Sequence, residues 1–504
     1  MGKLKSKKGI TLIALIITII VMLILVGVTV SVSLNGGLFK TAKQATDNTQ
    51  LETDKEELFA LAIGAIGNNG KVNFEKLNGS LGNKFTIKDG MYVSKSNNSF
   101  KVLENGTVEY IETVEKLQEK YEFAYYSKLS SAIADVNNNA IGVNADSNKE
   151  EATAGIYTNN GKTYVVLIKD TTENDKIIIS KDLTLNLGGN TLNFTSSGID
   201  TVNNNNNTIV IDGNLDGSTI SCIGTHTTAI AAIQVRGGNN ITIDSVTLNT
   251  VAENCVAHGV YLPAYSENPS NCVISDCNIN VSTATSNKAY GIANHGNLTV
   301  TDSTVKAYSN YNRNESGGFA AVSQGISTAD TSSTVLYNCN VMGTHSGVQS
   351  KGTLIVDGGI YEGVGYGGIC FFGAETTSYV QNAILRECEM PEGYESNCEH
   401  EDEGFRIGGN VGINVTVYMD NCDIYGSKQP IVLKGGQNNK LYISNSKVNL
   451  NPTWGIRVDN NTHRLYIGRG NNFTKENIDI LNSTITTEDI EQIVINTNEE
   501  YKKR

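Results

Sequence analysis

Two stretches decide how this chain folds: Leu298-Thr-Val-Thr-Asp-Ser-Thr-Val305 and Leu441-Tyr-Ile-Ser-Asn-Ser-Lys-Val448. Each alternates apolar and polar residues, then meets an Asn or Asp followed by a small residue, then resumes with an apolar one. Alternation with period 2 describes a strand with one buried face. Asn and Asp tolerate the left-handed backbone conformation that a tight bend needs. The pattern recurs at Cys272 to Ile279, Thr334 to Val341, Ser378 to Leu385 and Val417 to Ile424. Looser copies run Leu185 to Leu192, Ile241 to Leu248 and Leu354 to Tyr361. Aligned, the small position reads Cys277, Ser303, Cys339, Gly359, Ala383, Cys422, Ser446, at spacings of 26, 36, 20, 24, 39 and 24 residues. A second pattern, Gly-apolar-x-apolar, precedes most copies, as in Gly259-Val-Tyr-Leu262, Gly347-Val-Gln-Ser350, Gly368-Ile-Cys-Phe371 and Gly455-Ile-Arg-Val458. Short strands at a repeat of tens of residues mark a β-solenoid, here of about ten coils. At ~4.8 Å per coil that is a rod of about 50 Å.

The repeat resembles the right-handed parallel β-helix of the pectin-lyase-like superfamily, over about residues 155–490. The Asp276, Asp302, Asn338, Asn382, Asn421, Asn445 column matches the turn ladder of that family. The resemblance implies an all-β fold with inward ladders of Val, Ile, Leu, Ser, Cys and Asn. Nothing between the strands is helical enough for a βαβ unit.

Other segments flank the solenoid. A helical pattern over about 114–137 places Tyr126, Leu129, Ile133 and Val136 on one face, and so reads as a cap plugging the end of the core. Residues 113–154 form this cap and its connection. Residues 71–112 read as a small α+β stalk module: a short helix at Val72 to Leu77, then four strands turning at Asp89-Gly90 and Asn105-Gly106. Residues 35–70 are a helical extension and 491–504 a charged C-terminal tail. Before these, Ile10 to Leu34 runs 25 residues without a charge, enough to span ~30 Å of hydrocarbon as a helix. Residues 1–9 carry four lysines and no acid, which orients the remainder outward as a single-pass protein of the cell membrane.

This N-terminus resembles that of type IV prepilins. Gly9 matches the leader glycine, Ile10 the new N-terminal residue, and Thr11-Leu12-Ile13 the usual opening. The resemblance implies a prepilin peptidase as partner, cleavage after Gly9 and methylation of Ile10. Ala14 stands where the family carries a Glu thought to meet a neighbouring subunit's amine, so processing carries over more readily than filament assembly. The same residues also read as an uncleaved signal anchor.

The formal charge of −13 argues against nucleic acid as a partner. Nine cysteines are present, and those sharing a column with Ser, Ala and Gly read as small buried fillers. Cys388 and Cys398 instead bracket an interruption, Arg386 to Gly404, that holds eight acids and His400; a disulfide between them would stiffen it. Glu399, Glu401, Asp402 and Glu403 are the candidate oxygen ligands for a cation such as Ca²⁺. In the Gly-apolar-x-apolar strands the x position should face solvent. It reads Tyr261, Ala293, Gln349, Cys370, Arg406, Val432, Arg457. Arg406, Lys434, Arg457 and Asp459 are the catalytic candidates. Lyases of the resembled fold use an Arg or Lys base beside Ca²⁺-binding acids, and its glycosidases need paired carboxylates. No Asn-Thr-Asp strand, Asp-Asp pair or Gly-His-Gly is present, and the six histidines show no metal-ligand spacing.

These features favour a membrane-anchored, prepilin-like surface protein that displays a β-helix for binding or adhesion, with a polysaccharide or cell-surface glycan as ligand. A surface polysaccharide lyase or glycoside hydrolase is the alternative, and a structural rod or minor pilin-like component a third reading. Acids and bases converging in one groove favour the enzyme; aromatic and polar residues spread along a face favour binding. If Gly9 ends a leader, mass spectrometry of membrane-extracted protein should find a mature terminus at Ile10. An intact Met1 or Gly2 terminus leaves the anchor.

Overall fold

The computed structural model describes residues 38–503 apart from 89, 147, 204, 215–216, 265–267, 284–286, 314–318, 397–401, 409–413, 450–454 and 481–490. The apolar stretch 10–34, Gly9 and Ile10 lie outside the described residues, among which no helix is long and apolar enough to cross a membrane. The chain divides into two compact units after Glu112.

The first unit packs a helix, Leu38–Gly64, and a short helix, Phe74–Ser80, with a four-stranded antiparallel sheet running from Phe85–Lys88 to Val108–Ile111. The short helix begins at Phe74 because the Asn73 side chain caps it, its Oδ1 accepting from the Lys76 N–H at 3.0 Å. Leu58, Leu77, Phe85 and Phe100 form the core. Asp54 ties helix to sheet, accepting from Ser94 Oγ at 2.6 Å and Asn98 Nδ2 at 2.9 Å.

The second unit is a parallel β-solenoid. Among the described residues its first sheet has 24 strands, counting the antiparallel Ala124–Tyr126 and Ala154–Asn159, and its second has 12; most coils place two strands in the first sheet and one in the second, while Ser333–Gly343 and Thr353–Gly363 each run through the bend as one strand. The bend between the two strands of the first sheet is where the Asn/Asp column falls. Asp276, Asp302, Asn338, Asn382, Asn421 and Asn445 all have φ between 47° and 57°, as does Ser245 at 55°. A side chain in that conformation costs roughly 1–2 kcal/mol unless it is Gly, Asn or Asp, which explains the column. Where the column breaks, Gly358 takes over at φ 79°. The amides also bond from coil to coil: Asn338 Nδ2 to Asp302 Oδ1 at 2.6 Å, and Asn421 Nδ2 to Asn382 Oδ1 at 2.8 Å.

The next residue turns inward where space is short. A Cβ on Gly359 would lie 2.1 Å from the Cys339 carbonyl oxygen. Ser and Cys are interchangeable here because each hydroxyl or thiol donates to the carbonyl two residues back. Ser303 Oγ reaches Thr301 O at 2.7 Å, and Cys339 Sγ reaches Tyr337 O at 3.2 Å. Ser446 Oγ reaches Ser444 O at 2.8 Å, and Cys422 Sγ reaches Asp420 O at 3.4 Å. Cys277, Cys339 and Cys422 are buried free thiols, and burial pushes the Cys422 thiol up to about 12.

The cap differs from the single helix expected over 114–137. That segment forms a helix at Val114–Lys120, a strand at Ala124–Tyr126 and a second helix at Leu129–Asn137. The strand pairs antiparallel with Ala154–Asn159. Local aromatic packing decides this: Tyr121 and Phe123 stack against Tyr157 at 4.4 and 5.1 Å. Only the second helix plugs the solenoid, burying Leu129, Ala132, Ile133 and Val136 in its core. At the other end, Val494–Asn496 adds a parallel rung to Arg464–Ile467. The chain then runs back across the sheet, where Tyr501 packs edge-on to Tyr442 at 5.2 Å.

Because the bend needs φ above zero, Asn421→Gly should stay within ~0.5 kcal/mol of the parent while Asn421→Val loses ~1–2 kcal/mol. Cys422→Ser should lose less than the valine variant. Urea unfolding of the three variants checks the order.

Candidate binding face

The glycine of the Gly-apolar-x-apolar pattern marks where each coil enters the second sheet. There the backbone passes so close to the first sheet that a side chain would collide. A Cβ on Gly259 would meet Ile279 Cγ2 at 2.5 Å, and one on Gly291 would meet Val305 Cγ1 at 2.3 Å. Beyond the glycine the strands lie in register, so Gln234, Tyr261, Ala293, Ser327 and Gln349 stack as one column. Cys370, Arg406, Val432 and Arg457 continue it. Successive members are ~4.8 Å apart. Three residues before Tyr261, His258 lies in a parallel column that runs from Ala231 through His258, Tyr290 and Gln324 to Ser346.

The two columns meet in a ring cluster. His258 stacks on Tyr261 with centroids 4.6 Å apart and on Tyr290 at 5.2 Å, and His295 meets Tyr261 edge-on at 6.2 Å. His258 is 8% exposed, and its Nδ1 has no hydrogen-bond partner among the described residues. Burial, with a smaller contribution from His295, lowers its pKa to about 4. Burial and the nearby Lys351 charge lower that of His295. Both imidazoles are therefore neutral at pH 7. In the next coils Gln324 Nε2 donates to Gln349 Oε1 at 2.7 Å, while Gln324 Oε1 has no partner among the described residues.

Further along, the expected solvent-facing column is covered. Cys370, Arg406 and Val432 are buried. Arg406 Nη1 donates to Glu403 Oε1 at 2.7 Å and Nε donates to Gly408 O at 3.0 Å. The Tyr366 ring lies over the guanidinium at 4.2 Å. Tyr366 comes from the non-repeating corner turn between Thr353–Gly363 and Ile369–Phe371, which is why the repeat did not reveal the cover. Arg457 is half-buried; its Nη1 donates to Gln429 Oε1 at 3.0 Å and its Nε has no partner among the described residues. Lys434 and Asp459 follow Val432 and Arg457 by two residues each, and Asp459 Oδ1 accepts from the Gly435 N–H at 3.1 Å. Arg406 and Arg457 thus stand in one register column, with Lys434 and Asp459 just past the ends of their strands, and Arg406 is already engaged.

The acidic interruption is built into a clasp. Two long corner loops, one after Thr304–Tyr308 and one after Ile384–Glu387, meet across two intervening coils. Tyr311 N donates to Glu395 O at 2.8 Å, and Ser396 Oγ donates to Tyr311 O at 3.0 Å. Among the proposed cation ligands, Glu403 faces Arg406 and Asp402 pairs with Lys428 at 2.6 Å. Glu399, Glu401 and Cys398 lie outside the described residues, so the pairing with Cys388 does too. Among the described residues, no group of three His, Cys, Asp or Glu is placed to hold a metal ion.

The ring cluster was missed from sequence because His258 and Tyr261 straddle a glycine bend and so break period 2. The signal was the stacked pair of columns rather than any motif. A second aromatic ladder, Tyr379, Tyr418, Tyr442 and Tyr466, lies on the outer face of the first sheet at spacings of 5.3, 4.7 and 4.1 Å. There Tyr501 of the C-terminal segment packs across Tyr418 at 6.4 Å and Tyr442 at 5.2 Å, which suits a structural role.

No family model, no curated protein and no solved structure matches this chain.

Because the folded His258 stays neutral, its contribution to stability is present above pH ~6.5 and is lost as pH falls towards 4. The loss is on the order of 3 kcal/mol. Unfolding free energies at pH 7 and 4.5 should show a smaller pH difference for His258→Phe than for the parent.

Proposed function

We propose that this chain is a prepilin-like, membrane-anchored surface protein whose solenoid is a right-handed β-helix of the pectin-lyase-like type, and that its second sheet binds an extended carbohydrate. The observation that carries the reading is the row of rings and amides on consecutive rungs, from His258 and Tyr261 through Tyr290 to Gln324 and Gln349. Neutral rings and amides suit sugars, whose C–H faces pack on aromatics and whose hydroxyls both donate and accept. A row along the solenoid axis suits a polymer, since each added rung offers another contact. Arg457, half-buried further along the same column, adds a positive charge that would suit an acidic group on the ligand.

The lyase alternative draws less support. An Arg acting as base must release a proton and accept another. Arg406 is 4% exposed and ion-paired with Glu403, which stabilises its charged form.

Affinity electrophoresis of the full-length protein through gels containing plant, bacterial and host polysaccharides tests the reading. At least one polymer should retard it, and Tyr261→Ala or Tyr290→Ala should weaken retardation by ~10-fold or more. Tyr442→Ala, on the other sheet, should not. Equal retardation of all variants, or none for any polymer, contradicts the proposal.

A further inference from the structure

A second site stands apart from this face, at the amino-terminal corner where the cap meets the first coils. An open cavity of about 630 Å³ lies there, bordered by Asn139, Ile141, Lys181, Asp182 and the run Asn205 to Asn207. The chain builds it deliberately. The cap helix Leu129–Asn137 ends at Asn139, whose φ of 51° terminates the helix. Asn137 fixes that end to the first coil, its Nδ2 donating to Ile178 O at 2.7 Å and its Oδ1 accepting from Ser180 N at 2.9 Å. Asn205 Nδ2 donates to Ser180 O at 3.1 Å, and Asp182 Oδ1 accepts from the Thr208 N–H at 2.8 Å. Two successive coils and the cap thus hold the rim in place.

The lining has a definite chemistry. Lys181 and Asp182 cancel in charge, so nothing selects an ion. Lys181 makes no ion pair among the described residues and remains a donor. Asn139, Asn205 and Asn206 add side-chain amides, each a donor and an acceptor at once. Asn207 is 7% exposed, and its Nδ2 has no acceptor among the described residues. Ile141, 41% exposed, supplies an apolar wall. A buried amide lacking a partner is destabilising, and a ligand oxygen that reached it would relieve this.

We infer that this corner is a binding site for a small neutral polyhydroxylated ligand, a mono- or disaccharide. The hydroxyls pair with the asparagine amides and Lys181, and one C–H face rests on Ile141. The volume falls in the range of ordinary small-ligand sites. The inference does not depend on the second sheet binding a polymer.

Saturation-transfer NMR on the full-length protein tests it, with glucose, galactose and N-acetylglucosamine as probes and glucuronate and glucosamine as charged comparators. Saturable binding of at least one neutral sugar is expected, weakened ~3–10-fold by Asn205→Ala and by Ile141→Ala. Tyr442→Ala, in the ladder on the first sheet, should leave it unchanged. The inference is overturned by no saturable transfer from any neutral sugar, by preference for a charged comparator, or by binding that Tyr261→Ala abolishes and Asn205→Ala does not. Circular dichroism of each variant confirms that the fold is retained.

Discussion

Everything in the second unit depends on one constraint: successive coils hydrogen-bond through their backbones in a fixed register. Thr184, Val210, Thr242, Val273, Thr299 and Val335 sit directly above one another because their strands pair residue for residue. A coil cannot bury its inward side chains alone; it buries them against the coil above and the coil below. Register therefore decides which side chains meet. It makes ladders of Asn at the bends, of small residues inside them, and of rings and amides on the second sheet.

The constraint also explains how a solenoid tolerates so many buried polar groups. Asn239, Asn294 and Asn439 are fully buried. Each lies at a turn whose backbone groups would otherwise be unpaired. Asn239 Nδ2 donates to Val202 O at 2.7 Å and to Arg236 O at 2.9 Å. Asn439 Oδ1 accepts from the Val415 N–H at 3.1 Å. A buried polar group is tolerable when satisfied, and here one amide satisfies turns of two coils at once.

The same logic marks what could be read from sequence. The bend column was legible because left-handed backbone admits few residues, so Asp276 to Asn445 advertise themselves. The outward column from Tyr261 to Arg457 was legible in order but not in exposure. Register is a repeat property, whereas cover comes from Tyr366 and from loops that occur once. The split of the cap was hidden because Phe123 to Tyr126 fits either a helix face or a strand, and stacking on Tyr157 decides between them. The cluster of His258, Tyr261, Tyr290 and His295 required knowing which coils are neighbours, and their separations in the chain hide that. The corner cavity joins residues from the cap and two coils, and only folding brings these together.

The register itself is the claim on which these readings rest, and a distance measurement addresses it directly. Spin labels at Thr184 and Val335, both on the outer face of the first sheet, are separated by five successive pairings. At ~4.8 Å per rung, double electron–electron resonance should give a single narrow distribution near 24 Å, widened by a few Å for the label arms. A broad distribution, or one centred beyond about 35 Å, would contradict the stacked register and the faces built on it.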